Sequence, residues 1–313
     1  MTCLRLGTRR SGLALAQSGQ VAKRLEKLHL GLRVELVEIE TRGDRELGEL
    51  AALGGKGLFT AELEAGLASG ELDLAVHSLK DLPVTLPQGL MVAAFPRRVD
   101  PRDVLVADLA PRQGPAAAEG DPIAALAAGA SVLTGSLRRR GQLLARRSDL
   151  EVRPIRGNVD TRLRRWRENG HGAVVLAAAG LARLGLLDGL PAHALDPEHM
   201  VPAPGQGILA LEVRAGSRAE PFVRALDHPA TARAAEAERR IVAALGGDCT
   251  LPLGALAETT TNGLLRLRAV LVSEDGRRRA TGRGQAHEPA AAAAACLKAL
   301  EADGVGPLLA SLR

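Results

Sequence analysis

Leu72-Asp73-Leu74-Ala75-Val76-His77-Ser78-Leu79-Lys80-Asp81-Leu82-Pro83 is the stretch on which the fold reading turns. Its first five residues read as a buried strand, and Pro83 stops the polar residues that follow from running on as helix. In open α/β sheets ligands gather at the carboxyl ends of strands. His77–Pro83 therefore reads as a loop that presents a Lys and an Asp side by side at such an end. One reading is a charge-stabilising or acid/base Asp next to an anion-binding Lys; the other is a surface ion pair. Of 41 basic residues only five are Lys, so a Lys in this loop suggests that a compact point charge is wanted there.

Working outward, strands are expected at 4–8, 34–39 and 91–95 and helices at 13–28 and 58–69. A second α/β run has strands at 103–107, 131–134, 151–155 and 173–177 and helices at 137–147, 158–169 and 179–186. Alternating strands and helices mean a parallel or mixed sheet. Residues 110–130, rich in Ala, Gly and Pro, read as a loop or a poorly ordered insertion. Val201–Gly207 is turn-rich and leads into a strand at 208–213 that is expected to return to the first sheet. From about 225 the pattern becomes a long helix (230–245), strands at 251–257, 264–273 and 277–286, and an Ala-rich helix at 289–302. The expected fold is thus α/β: two periplasmic-binding-protein-like α/β domains around a hinged cleft, plus a small C-terminal α+β domain. The boundaries fall at 1–98 with 202–222, at 99–201, and at 223–313.

The chain has 313 residues, 46% hydrophobic and 25% charged, which is globular composition with room for two or three cores. No apolar run is long enough to span a bilayer. Three Phe, one Trp and no Tyr disfavour a nucleic-acid binder that stacks bases on aromatic rings. Three cysteines form no disulfide framework and suit the cytoplasm. Thr8-Arg9-Arg10-Ser11 has a twin-arginine look, but the apolar stretch after it is too short for an export signal. No metal-ligand spacing is present. The net charge of +5 fits either a general Arg bias or an anionic ligand.

Between 131 and 167 stand eleven Arg against three acids. Thr134-Gly135-Ser136-Leu137-Arg138-Arg139 follows a strand and opens a helix, so hydroxyls, backbone N–H groups and the helix dipole converge on an anion site. Arg156-Gly157-Asn158-Val159-Asp160-Thr161-Arg162 repeats the arrangement. Arg146, Arg147, Arg164, Arg165 and Arg167 read as a solvated face. Gly54-Gly55-Lys56-Gly57 is not a Walker A loop; it reads as a backbone-exposing loop or a plain turn. Gly246-Gly247-Asp248-Cys249 offers either a reactive thiol in a glycine loop or a small buried Cys, while Cys3 and Cys296 read as structural.

Taken in order, Leu6–Ser11, His77–Pro83, Ser136–Arg139, Arg156–Val159, Gly205-Gln206-Gly207 and Gly246–Cys249 resemble the porphobilinogen deaminase (hydroxymethylbilane synthase) family over nearly the whole chain. The resemblance implies head-to-tail condensation of four porphobilinogens with loss of ammonia, on a covalent dipyrromethane cofactor, and hydrolytic release of the linear product. It implies Asp81 as the catalytic aspartate and a thioether to the cofactor at Cys249. It further implies cofactor contacts by Ser78, Lys80, Asp81, Thr134, Ser136, Arg138, Arg139 and Arg162. Substrate contacts fall to Arg9, Ser11, Gln17, Lys56, Phe59, Arg156, Arg162, Arg183, Ala177 and Gln206. The product chemistry explains the cations independently. A cleft holding a growing chain must pair about a dozen carboxylates, which are costly to bury unpaired. The implied protein is a cytoplasmic monomer acting on a small molecule, with no nucleic-acid or membrane partner. The rival is a non-catalytic periplasmic-binding-like module for a small polycarboxylate.

Overall fold

The computed structural model describes residues 2–41, 60–109, 121–168, 170–247 and 251–312. The chain opens with β1 (Thr2–Arg9), α1 (Gly12–Leu28), β2 (Leu32–Ile39), α2 (Ala61–Ser69), β3 (Leu74–Ser78) and β4 (Leu90–Ala94). It continues with β5 (Asp103–Val106), β6 (Ser131–Leu133), α3 (Leu137–Arg146), β7 (Glu151–Arg153), α4 (Val159–Glu168), β8 (Ala173–Ala177), α5 (Ala178–Arg183) and β9 (Ala192–Ala194). Then come β10 (Leu209–Arg214), α6 (Glu220–Arg224), α7 (Pro229–Ala244), β11 (Leu253–Thr259), β12 (Leu265–Val272), β13 (Arg279–Ala286), α8 (Pro289–Ala302) and α9 (Val305–Ala310).

These strands form three sheets. The first has the order β2-β1-β3-β10-β4 and the second β7-β6-β8-β5-β9. The two orders match position for position. In each, a parallel trio is followed by one antiparallel strand, β10 or β5, that enters directly after the chain has crossed between sheets. The third sheet is the antiparallel meander β11-β12-β13. The fold is therefore mixed α/β with two like sheets and a small C-terminal α+β unit, and the 208–213 segment does return to the first sheet.

Hydrophobic periodicity explains the layers. Val21, Ala22 and Leu25 of α1 pack on Leu4, Leu6, Leu74 and Leu211 of the first sheet, and Leu63 and Leu67 of α2 cover its other face against Leu72 and Ala75. The second sheet is likewise buried on both sides, around Leu105, Val132 and Leu143 and around Val104, Leu133, Leu163 and Trp166. Its strands are continuous apolar runs, as two-faced burial requires. The Ala-rich α8 lies close on β13, where a Cβ at Gly284 would stand 2.6 Å from the Cys296 nitrogen. Cys296 is fully buried, and burial pushes its thiol up to about 12; Cys3 is half-buried.

One local reading changes. The third strand runs 74–78 rather than 72–76, because antiparallel pairing of Ser78 with Leu209 and His77 with Ala210 draws both polar residues into the ladder. Residues 121–130 are turns and bends, as expected of a loop, with Ile123 and Leu126 entering the core of the second sheet. β9 has only three residues, Ala-His-Ala, and is held by β5 rather than by any pattern of its own.

Candidate active site

The end of β3 is held from three sides. The Leu79 N–H donates to the Ile208 carbonyl at 3.0 Å, and Leu79–Asp81 form one 3-10 turn closed by Leu82 N–H on the Leu79 carbonyl at 3.2 Å. Leu79 and Leu82 sink into a core with Ile208, Ala210 and Ala235. That anchoring leaves Lys80 half-buried and Asp81 exposed. Gly205, at φ +75°, presses on the turn, and a Cβ there would lie 2.8 Å from Leu79 Cγ and 3.0 Å from the Lys80 nitrogen. Arg239 of α7 donates to the carbonyls of Leu82, Pro83 and Val84 at 3.4, 2.9 and 2.7 Å. From α1, Gln17 Nε2 donates to Ser78 Oγ at 3.1 Å.

The second sheet contributes a buried cationic hub. Ser136 caps α3, accepting from the Arg139 N–H at 3.4 Å, while Thr134 Oγ1 accepts from the Ser136 N–H at 3.2 Å. The next two side chains turn inward: Arg138 and Arg139 are 4% and 5% exposed. Asp103, fully buried at the start of β5, accepts from Arg138 Nη1 at 2.7 Å and from Arg139 Nε and Nη2 at 3.0 and 2.8 Å. Gln206 Nε2, from the return crossing, donates to the same carboxylate at 2.9 Å and to the Pro101 carbonyl at 2.7 Å. Burial pushes the Asp103 carboxyl up, but the two guanidinium groups outweigh it and hold it well below the usual carboxylate range.

These groups face one another across the two sheets. Burial pushes the Lys80 ammonium down; Asp81 and Asp103 oppose that shift, while Arg139 and Arg138 add to it. Arg162, half-buried with Nε on the Gly157 carbonyl at 2.8 Å, falls to about 10 through burial and repulsion from Arg139, with Asp81 opposing. Burial alone takes Arg183 to about 10, and its Nη2 donates to the Gly207 carbonyl at 3.0 Å. Four cations (Lys80, Arg138, Arg139, Arg162) thus meet two carboxylates (Asp81, Asp103). Such an excess is unfavourable in a poorly solvated place unless a ligand brings negative charge.

Of the residues expected from sequence, Ser78, Lys80, Asp81, Thr134, Ser136, Arg138, Arg139, Arg162 and Gln206 come together around this turn and hub. Ser11 caps α1, accepting from the Ala14 N–H at 3.3 Å, and Arg9 ends β1 half-buried. Ala177 ends β8 directly opposite Asp103 in the ladder. Arg156 is exposed on the turn before α4, and Arg183 reaches the return crossing. Lys56, Phe59 and Cys249 lie outside the described residues. Arg146, Arg164, Arg165 and Arg167 are exposed, as expected, Arg146 on Asp121, whereas Arg147 is half-buried and pairs with Asp149. Sequence reasoning passed over Asp103, Arg239 and the buried Arg98–Glu238 pair at 2.6 Å. The signal for Asp103 was a lone acid opening an otherwise apolar strand; Arg239 and Arg98 had none amid so many arginines.

The two like sheets, with Lys80, Arg138, Arg139 and Arg162 gathered about Asp81 and Asp103, define a mixed α/β protein with a cation-rich centre. Residues 4–220 match the family described as porphobilinogen deaminase, dipyromethane cofactor binding domain, and residues 232–302 match porphobilinogen deaminase, C-terminal domain. The chain belongs to the porphobilinogen deaminase family. It is 46% identical over 97% of its length to the porphobilinogen deaminase of Roseiflexus sp. (strain RS-1), covering 98% of that protein. It is 44% identical to that of Paraburkholderia phytofirmans, over 98% of this chain and 88% of the relative. Among solved structures, the periplasmic aliphatic sulphonate binding protein SsuA from Escherichia coli aligns over 78% of this chain and 70% of its own, at TM-score 0.41 and 14% identity. The sheet orders, rather than that likeness, carry the fold.

Proposed function

We propose that the chain is a hydroxymethylbilane synthase. It joins four porphobilinogen molecules head to tail, releases ammonia at each condensation and frees the linear tetrapyrrole by hydrolysis. Family membership supports the reaction. The observation that carries it on this chain is the excess of cations, buried Arg138 and Arg139 with half-buried Lys80 and Arg162, beside an exposed Asp81 at a strand end. Every porphobilinogen ring brings an acetate and a propionate, so substrate and product are the kind of anion that this excess calls for.

Dipyrromethane, when bound, supplies the pyrrole terminus from which the chain grows. The hydroxyls and cations of the hub suit its acid side chains, and Ser78, Lys80, Thr134, Ser136, Arg138, Arg139 and Arg162 would hold it. Cys249 is its attachment point, through a thioether. Substrate carboxylates fall to Arg9, Ser11, Gln17, Arg156, Arg162 and Arg183, with Ala177 and Gln206 lining the cleft and Lys56 and Phe59 completing it.

Asp81 does the central work. Its carboxylate accepts a hydrogen bond from the pyrrole N–H of porphobilinogen. As ammonia leaves, positive charge develops on the resulting azafulvene, and a fixed carboxylate beside it lowers the barrier. The same group can take and return the protons that move as the amine departs and a pyrrole ring regains aromaticity. Arg239 and the buried Leu79 and Leu82 fix the turn, so Asp81 needs little reorganisation.

The division at 1–98 with 202–222, 99–201 and 223–313 is supported by the three sheets, and two chain crossings suit a cleft that opens by hinging. We place the protein in the cytoplasm as a monomer, on its sparse cysteines and its family resemblance. The test is an intact mass spectrum with peptide mapping around Cys249. Two linked pyrrole units on that residue are expected; an unmodified mass that persists after incubation with porphobilinogen would overturn the reading.

A further inference from the structure

We propose that Asp103 is a positioning residue for polycarboxylate binding: its buried carboxylate fixes the Arg138 and Arg139 guanidinium groups in the orientation in which they meet the ligand. The inference rests on the function proposed above and names how its anion site is held.

Asp103 Oδ1 accepts from Arg139 Nε and Nη2 and from Gln206 Nε2, and Oδ2 accepts from Arg138 Nη1. Four side-chain donors already engage this fully buried carboxylate, so its effect passes through the arginines. The remaining donors are what matter. Arg138 Nη1 gives its other hydrogen to the Val201 carbonyl at 2.7 Å, and Arg139 Nη1 donates to the Val175 carbonyl at 2.9 Å. Both planes are thereby fixed by a carboxylate on one side and a backbone carbonyl on another. Two N–H groups of Arg139 and the Nε and Nη2 of Arg138 stay uncommitted to these partners. Arg138 Nε is buried with no hydrogen-bond partner among the described residues, in a side chain only 4% exposed. Leaving such a donor unmatched costs free energy, and a ligand oxygen would satisfy it. Without the carboxylate, Arg138, Arg139 and Lys80 would repel one another and lose that orientation. Gln206 ties the same carboxylate to Pro101 and the return crossing, so the anion site and the chain crossings share one anchor.

The test uses wild-type protein, Asp103→Asn, Asp103→Glu and Arg139→Lys. Covalent pigment occupancy is read by intact mass, porphobilinogen KM and kcat on the occupied fraction, and folding by circular-dichroism melts. Asp103→Asn is expected to fold yet lose about tenfold in occupancy or in 1/KM, with Asp103→Glu recovering much of the loss. Wild-type occupancy and KM beside a lowered melting temperature would overturn the proposal. Should Asp103→Asn fail to fold, Arg139→Lys keeps the charge but loses the fork that Asp103 grips. A KM raised about tenfold is then expected, and an unchanged KM overturns the proposal. If the wild type carries no pigment and consumes no porphobilinogen, the functional reading fails instead. Calorimetric binding of benzene-1,2,4,5-tetracarboxylate then judges Asp103 separately: affinity about tenfold weaker in Asp103→Asn upholds the role, and equal affinity overturns it.

Discussion

Arg239 Nη2 lies 2.7 Å from the Val84 carbonyl oxygen and 2.9 Å from that of Pro83. One side chain of the C-terminal unit thus grips the segment directly after Asp81. A misplacement near 1 Å at a reacting group can cost about a hundredfold in rate. Arg239→Met should therefore lower kcat about tenfold to a hundredfold with little change in KM, because no carboxylate contact is removed. Steady-state porphobilinogen consumption measures both, and Arg239→Lys should restore part of the rate. A wild-type kcat in Arg239→Met would show that the turn holds its shape without the clamp.

Asp81→Asn isolates the charge from the fold. Asp81 is exposed, so the substitution should move stability by no more than about 0.5 kcal/mol and leave the pigment in place. Loss of the fixed negative charge beside a developing cation should cut kcat by about a hundredfold or more. Ammonia release under single-turnover conditions is the cleanest measure. Turnover near the wild-type value would remove Asp81 from the chemistry.

Glu238 binds the units together. It is fully buried, 2.6 Å from Arg98 Nη1, and accepts the N–H groups of Gly205 at 2.5 Å and Ala257 at 2.7 Å. Removing one partner of a buried pair strands the other, at a cost of about 3–5 kcal/mol. Glu238→Gln keeps the shape but leaves Arg98 without its counter-charge, so urea unfolding should show a loss in that range. A loss under about 1 kcal/mol would mean that Arg98 finds water or another acceptor in its place.

The sequence made the element order legible because the two α/β runs are punctuated by turns and their strands are plainly apolar. It exposed Lys80 and Asp81 for the same reason: polar residues at the end of an apolar run stand out. It did not reveal that His77 and Ser78 belong to the strand, since their pairing partner, β10, lies more than a hundred residues away in the chain. It did separate the arginines at the Thr134–Arg139 turn from the solvated Arg164 and Arg165, because a strand-to-helix turn with hydroxyls marks an anion site, and the first two are buried while the last two are exposed. What it could not show is that Arg138 and Arg139 turn inward onto Asp103, an acid more than thirty residues earlier in the chain. Arg239 stays hidden in a sequence because its partners are backbone carbonyls of a distant loop, which leave no mark of residue type, and Glu238 because its side-chain partner, Arg98, stands 140 residues earlier among many other arginines.

Gly205 gives the sharpest link between backbone and activity. Its φ of +75° is one that L-residues rarely adopt, and an added Cβ would meet Leu79 Cβ and the Lys80 nitrogen, both at 3.0 Å. Gly205→Ala therefore carries a left-handed backbone penalty of about 1 kcal/mol and a steric push on the turn that presents Lys80 and Asp81. The push has no soft outlet, because Leu79 is buried and its N–H is already bonded to Ile208. The variant should unfold about 1–3 kcal/mol more easily and lose more activity than that stability change explains, when assayed well below its melting temperature. Melts and rates on the same preparation decide it. A stability loss with full activity would show that the return crossing, rather than the turn, yields to the added methyl group.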